Sequence, residues 1–309
     1  MRLTLIHNPA AGDGRPSGAD LKKMLAEAGF QVRYESIKKD WKKALQRPAD
    51  LVVAAGGDGT AAKVLKQLAG GSMPVALLPI GTANNIGRSL GIAGDLRELA
   101  ADWRTAARRP FDVGRVRIAD GGWRHFVEAV GDGPFALAIE RGKEAIEDSS
   151  TLVGNEIDRA LTYLRRVVEQ VQPERWQIDI DGHDYSGNYL GVEVMNIRLG
   201  GPGVALASGA RTGDGRLDIV FIAAADRLQM LDYLTRRLGH HEIKLPPLEV
   251  VQGRSIRFTP PRGVLRVDDE LVYGVGGEVE VQVVPGAVEI LEPDGADSPL
   301  NRRQVRSAR

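Results

Sequence analysis

Residues 51 to 60 read Leu-Val-Val-Ala-Ala-Gly-Gly-Asp-Gly-Thr, and residues 61 to 68 continue with helical spacing of Val64, Leu65 and Leu68. An unbroken apolar run that ends in glycines and opens straight into a helix is the pattern of a strand buried on both faces and followed by a crossover helix. The arrangement occurs twice more. Leu3 to His7 leads into Asn8-Pro9-Ala10-Ala11-Gly12, and Pro74 to Pro79 leads into Ile80-Gly81-Thr82-Ala83-Asn84-Asn85. With a helix at about 17–28, a strand at 30–36 and a helix at about 41–47 between them, the first third alternates strand and helix, which predicts a parallel sheet. A further helix is predicted over 95–107, where Leu96, Leu99 and Trp103 recur at helical spacing. Ser17 with Asp20 has the spacing of a capping box, and Gly29 and Gly70 stand where helices should stop.

From Phe111 the period changes. Phe111 to Ile118 alternates with period two, Asp120-Gly121-Gly122 turns, and Trp123 to Val130 returns as the partner of a hairpin. One long helix is expected through Val153, Ile157, Leu161, Leu164, Val168 and Val171, and a second through Leu228, Leu231, Leu234 and Leu238. Strands are expected at 176–181, 189–197, 204–207 and 216–223, then as short segments to about 291. This predicts an α/β domain over 1–111 and an antiparallel β-rich domain over 112–285. A last strand within 286–292 is expected to return to the first domain, and 293–309 to form a disordered basic tail.

Composition narrows the function classes. Lys plus Arg and Asp plus Glu both number 41, so net charge offers no reason to expect a nucleic-acid partner. The absence of cysteine excludes disulfides, thiol nucleophiles and Cys-ligated metal. The start Met1-Arg2-Leu3-Thr4 lacks signal-peptide character, and no apolar run nears the roughly 20 residues that span a bilayer, so a cytoplasmic protein is expected, with peripheral attachment at the inner face of the membrane open. The five histidines show no ligand spacing, and His240-His241 reads as a helix end.

Glycines after a strand let backbone N–H groups approach phosphate oxygens, and a helix N-terminus adds partial positive charge. Gly-Gly alone reads equally as a tight turn. Asp58, able to hold a metal or polarise a nucleotide, and Thr60 shift the balance, as does the repetition at three strand ends, where open α/β sheets form their binding crevice. The residues predict a nucleotide-dependent phosphotransferase.

In this order the motifs resemble the diacylglycerol kinase catalytic-domain family, with its bacterial lipid kinases and the related sphingosine and ceramide kinases. The likeness rests on Asn8-Pro9 with Ala11-Gly12, Gly56-Gly57-Asp58-Gly59-Thr60, Gly81-Thr82-Ala83-Asn84, Asp214-Gly215-Arg216-Leu217-Asp218 and Val267-Asp268-Asp269-Glu270. It implies a Rossmann-like N-terminal domain of the NAD kinase and diacylglycerol kinase type and a β-sandwich-like C-terminal domain. It also implies an ATP-dependent kinase of lipid and phospholipid metabolism that phosphorylates a lipid alcohol, diacylglycerol first and sphingoid or other lipid alcohols behind it. On the same ground Gly56, Gly57, Asp58, Gly59, Thr60, Ala61 and Ala62 would wrap the ATP phosphates, with Asn8, Ser36, Thr82 and Asn84 as further nucleotide contacts. Asp214 and the main-chain carbonyls of Arg211 and Arg216 would hold Mg²⁺.

Phosphoryl transfer to an alcohol needs a carboxylate to take the hydroxyl proton. Glu270 is the first candidate, with Asp268 close enough to share a hydrogen bond or a metal, and three consecutive carboxylates should repel one another. Ala61-Ala62 stand where many relatives have Asn-Glu, Asn85 where they have an acid, and Asp269 where they have glycine, so Lys63 and Asn85 are candidate substitutes, and Asp269 is expected to lack an easy positive φ. Two other readings stay open: a kinase with a soluble acceptor, like NAD kinase, and a nucleotide-binding regulator without turnover. For a lipid acceptor at a membrane surface, the basic rim is sought among Arg104, Arg108, Arg109, the arginines of the 153–171 helix, Arg236, Arg237 and the tail. A homodimer is left open.

Overall fold

The computed structural model describes residues 1–147, 155–241 and 243–292, with side chains of 145–147 left aside. The tail, and Val153 at the start of the expected long helix, lie outside these residues. The chain divides into a first unit, Met1–Phe111 with the chain from Gly286 on, and a second, Asp112–Pro285.

In the first unit β1 (Arg2–His7), α1 (Gly18–Glu27), β2 (Gln31–Ser36), β3 (Leu51–Gly56), α2 (Asp58–Leu68), β4 (Val75–Pro79), α3 (Asn85–Ser89) and α4 (Leu96–Ala101) precede β5 (Ala107–Ile118). β4, β3, β1 and β2 pair in parallel in that order. Every residue of β3 is buried, as a strand covered on both faces must be. Ser17 caps α1 through a complete capping box with Asp20, and Gly29 and Gly70 take φ of +82° and +83° past the ends of α1 and α2. Two expected helices are corrected. Residues 41–46 form a 3-10 helix, stopped because Arg47 must be extended ahead of Pro48. α4 ends at Ala101, and Trp103 reaches the core from the turn that follows, 5.9 Å from the Phe30 ring.

The second unit runs through β6 (Arg124–Phe126), β7 (Ala129–Asp132), α5 (Pro134–Glu147), α6 (Glu156–Gln170), β8 (Glu174–Ile180), β9 (His183–Asp184), β10 (Gly187–Tyr189), β11 (Gly191–Met195), β12 (Leu217–Ile222), α7 (Arg227–Leu238), β13 (Glu249–Gly253), β14 (Ser255–Thr259), β15 (Val264–Val267), β16 (Glu270–Tyr273) and β17 (Val279–Glu292). Six strands form an antiparallel sheet in the order β13-β12-β11-β7-β15-β16. Its one face meets β8, β14 and the first part of β17 in a sandwich core that includes Trp176, Phe221, Phe258 and Val279. Its other face lies under α5, α6 and α7, around Leu161, Leu164, Met195 and Tyr233. β11 and β12 are buried throughout because both faces are covered.

β17 crosses the unit boundary: Val279 to Gln282 pair with β14, and Ile290 pairs in parallel with Val75 of β4. Three expectations for the second unit are corrected. Segment 123–130 is divided, β6 pairing with β5 while β7 joins the six-stranded sheet. α5 was not expected at all, although Pro134 at its first position is a start signal. Residues 204–207 are no strand, because Gly201 and Gly203 at φ +52° and +76° flank Pro202 in a tight turn closed by mutual Gly200 and Val204 hydrogen bonds.

Candidate active site

In the first unit the loops after β1, β3 and β4 close on one another through their backbones. The Asn8 amide donates to the Ala55 carbonyl at 2.9 Å, and the Ile80 amide to the Gly56 carbonyl at 3.1 Å. A Cβ on Gly81 would lie 2.3 Å from Cα of Gly57, and one on Gly12, whose φ is +57°, 2.4 Å from the Ile80 carbonyl oxygen. Side chains are absent here because the loops leave no room for them, which exposes the peptide groups themselves.

Asp58 sits at the start of α2 and is half-buried. Its Oδ1 accepts from the Ile86 amide at 2.9 Å, so it caps the first turn of α3 and ties the β3 loop to the β4 loop. Burial pushes its carboxyl above the usual range, and hydrogen bonds from the Ile86 and Asn85 amides act in the opposite direction. The carboxylate expected to hold a metal or polarise a nucleotide is thus engaged in joining two loops. Asn84, at φ +50°, accepts from the Gly81 amide at 2.9 Å and donates to the Gly81 carbonyl at 2.7 Å, so its side chain shapes the loop it belongs to. Asn8 Oδ1 likewise receives the Ala10 amide at 3.1 Å, and Ser36 Oγ, at the end of β2, the Lys38 amide at 3.3 Å. Thr60, Ala61 and Ala62 turn their side chains inward, and the Ala61 amide is bonded to the Gly57 carbonyl. Thr82 lies in the β4 loop, Lys63 is exposed, and Asn85 is buried.

Behind these loops stands a pair that sequence reading passed over. His7, fully buried at the end of β1, meets the Tyr34 hydroxyl through Nδ1 at 3.1 Å, and burial lowers the pKa of its imidazole. The signal was available, because a histidine closing a run of four apolar or β-branched residues must be buried.

In the second unit the acidic turn resolves into two environments. Asp268 is 2 % exposed and takes φ of +54°. Its Oδ1 receives the Val127 and Glu128 amides at 2.9 and 2.8 Å, and its own amide donates to the Ala129 carbonyl. Those bonds offset the roughly 1–2 kcal/mol that a left-handed residue with Cβ costs. Asp269 takes no positive φ, as expected; that conformation falls on Asp268, which braces the turn from within. Glu270, at the start of edge strand β16, has an exposed carboxylate that pairs with Arg124 at 2.6 Å.

Beneath the turn lies an ion pair that sequence reading missed. Arg266 Nη2 donates to Glu193 Oε2 at 2.6 Å, both side chains being almost fully buried, and Nη1 reaches the Asp268 carbonyl at 3.3 Å. The pair spans Gly131, where a Cβ would lie 2.6 Å from the Glu193 carboxyl. Burial pushes the Glu193 carboxyl up, and the Arg266 guanidinium opposes that shift.

Asp214 accepts from the Arg216 amide at 3.0 Å, and Gly215 turns at φ +72° while its amide donates to buried Asp112 at 2.7 Å. Asp218 is pushed up to about 6 by burial, and the charge of Asp214 adds to the shift. A cation here would offset the repulsion between the two acids. Among the described residues no three His, Asp or Glu side chains cluster to hold a metal, so oxygen ligands here would have to include main-chain carbonyls, such as those of Arg211 and Arg216.

The expected basic rim is largely used up locally. Arg104 donates to the Gly29 carbonyl and stacks on Phe30, Arg108 and Arg109 pair with Glu289 and Glu292, Arg236 pairs with Asp232, and Arg237 bonds the Tyr233 hydroxyl. Among the described residues no helix is long and apolar enough to cross a membrane.

Comparison with known proteins agrees with this architecture. Residues 2–116 match the diacylglycerol kinase catalytic domain, and 141–292 match the YegS C-terminal NAD kinase beta sandwich-like domain. The chain is 25 % identical over 292 residues to a diacylglycerol kinase of Bacillus subtilis (strain 168), covering 90 % of this chain and 89 % of that one. It is 28 % identical over 300 residues to the "Probable lipid kinase YegS-like" of Pseudomonas aeruginosa (strain PAO1), covering 86 % and 93 %. In fold it is similar to the crystal structure of a diacylglycerol kinase from Bacillus anthracis str. Sterne, with TM-score 0.68 and 22 % identity over 95 % of this chain and 97 % of that one. With both domain types present in order along most of its length, the chain belongs to the diacylglycerol kinase catalytic-domain family of lipid kinases and is a phosphotransferase.

Proposed function

We propose that this kinase transfers the γ-phosphoryl group of ATP to the hydroxyl of a lipid alcohol, with diacylglycerol the acceptor best supported. The observation that carries the reading is the backbone seam of Gly12, Gly57 and Gly81 at the ends of parallel strands, in a chain that matches the diacylglycerol kinase catalytic domain followed by the YegS C-terminal domain. Peptide amides near the first turn of α2 would take the ATP phosphates, with the positive end of the helix adding to their pull.

Glu270 is the general base. As the acceptor oxygen attacks the γ-phosphorus, the O–H proton passes to the Glu270 carboxylate. A new P–O bond forms, the bond to the bridging oxygen breaks, and ADP leaves with that electron pair. Asp268 holds the turn that presents Glu270. Mg²⁺ would be held by Asp214 and the carbonyls of Arg211 and Arg216, where it would neutralise the Asp214 and Asp218 charges and set the 211–216 loop. A lipid acceptor places the enzyme at a membrane surface, peripherally and on the cytoplasmic side where ATP is found, with a role in phospholipid metabolism.

The test is transfer of labelled γ-phosphate from Mg-ATP into the organic phase of a lipid extract in mixed micelles. Wild type should label a lipid band, and Glu270→Gln should reduce the rate about 10²- to 10⁴-fold. Label that appears only in a soluble acceptor such as NAD would overturn the lipid assignment. ATP binding without any transfer would point to a regulator.

A further inference from the structure

Glu270 opens an edge strand, and its side chain is 62 % exposed, so neither the sheet nor the core fixes where its carboxylate points. Among the described residues its polar partner is Arg124, 146 positions away in sequence, whose Nη2 donates to Oε2 at 2.6 Å. The contact takes one carboxylate oxygen and leaves Oε1 to accept a proton. The backbone of Arg124 is tied into the sheet. Its strand β6 pairs with β5 through Val116, and on β5 the neighbouring Arg115 and Arg117 stack on Trp123 at 4.4 and 5.0 Å. The same two arginines hold Gln282 and Glu280 of β17.

The whole segment from Arg124 to Gly131 follows the strand and turn that carry Glu270. Gly131 pairs with Arg266 and Val130 with Val267, the Ala129 carbonyl takes the Asp268 amide, and the Glu128 and Val127 amides take the Asp268 carboxylate. Arg124 with Glu270 is the last contact in this series.

We propose that Arg124 is the positioning residue of the base: it holds the Glu270 carboxylate by one oxygen in the orientation that receives the acceptor's proton. This rests on the reading of Glu270 as the base. Because both partners are more than two-fifths exposed, the ion pair contributes little to folding, so its purpose and its stability effect can be separated experimentally.

In the labelled-phosphate assay, Arg124→Gln should lower kcat roughly ten- to a hundredfold, leave KM for ATP within about twofold, and leave Tm unchanged, since the cost falls on alignment of reacting atoms. Arg124→Lys, a point cation without the planar fork, should recover part of the rate. In the Glu270→Gln background Arg124→Gln should have no further effect, because the residue acts through Glu270. Crystals of Arg124→Gln should show the Glu270 carboxylate displaced or in several positions. A wild-type kcat in Arg124→Gln, an equal loss on the Glu270→Gln background, or an unmoved carboxylate in the crystal would overturn the inference while leaving Glu270 as base. Full transfer by Glu270→Gln would instead remove the base assignment on which it rests.

Discussion

A methyl group at Gly81 should separate the β3 and β4 loops and with them the phosphate platform. The new Cβ would stand 2.3 Å from Cα of Gly57 and 3.0 Å from both the Gly57 nitrogen and Asn84 Oδ1. Carbon atoms in contact need about 3.5 Å, so the loops must part by about 1 Å, and two of the three atoms in the way belong to backbone. Overpacking of this kind costs about 1–3 kcal/mol of stability, and a displacement of about 1 Å at a reacting site costs on the order of 10²-fold in rate. The reciprocal change is milder: at Gly57 the Cβ would lie 3.2 Å from Cα of Gly81, which a shift of a few tenths of an ångström relieves. Gly209, where a Cβ meets nothing within 4 Å and φ is not positive, is the neutral control. ATP affinity by titration calorimetry and urea unfolding should therefore rank Gly81→Ala far below Gly57→Ala, with Gly209→Ala like wild type. Undiminished ATP affinity in Gly81→Ala, or a Gly57→Ala variant that is the worse of the two, would refute the idea that the seam forms the phosphate site.

Two further changes probe buried charge in the second unit. Arg266→Met strands the buried Glu193 charge and should cost about 3–5 kcal/mol in urea unfolding, whereas Arg266→Met with Glu193→Leu should recover most of it; a single-variant cost below about 1 kcal/mol would contradict the pairing. Asp132, fully buried, has its carboxyl pushed up to about 6 by burial from an ordinary 3.8 despite Arg262 nearby. The folded state holds that proton more tightly than the unfolded one, so stability is highest below about pH 4 and declines as pH rises to about 6, by at most roughly 3 kcal/mol at about 1.4 kcal/mol per unit. Asp132→Asn should thus be more stable than wild type at pH 7 and equal to it near pH 4, and a penalty independent of pH would rule this out.

The parallel sheet was legible because its strands are short apolar runs punctuated by glycines, a local pattern that needs no partner to be read. Gly56, Gly57 and Gly81 were legible for the same reason. Asp58 and Asn84 were identified as important residues, but that Asp58 meets the Ile86 amide 28 residues on, and that Asn84 turns back onto Gly81 three residues before it, depends on how the loops close, which spacing alone does not say. In the acidic run at 268–270 the sequence singled out Glu270 as base with Asp268 beside it, but it did not say which carboxylate is buried. Strand pairing made them unlike, by burying Asp268 among backbone amides and leaving Glu270 at an edge.

Charge was the least legible property. The arginines of the expected rim read as free cations in the linear chain, yet Arg108, Arg109 and Arg236 face carboxylates in the fold. Arg124, Glu193 and Arg266 carried no sequence signal, since a charged residue in a strand reads as a solvent-facing position. What the sequence by itself determined was periodicity, termination and the chemistry of the glycine loops, because these follow from contacts within a few residues. Which carboxylate is buried, which arginine it meets and which residue takes the positive φ were decided only by the tertiary structure, because desolvation and ion pairing depend on neighbours brought together from as far as 183 residues away.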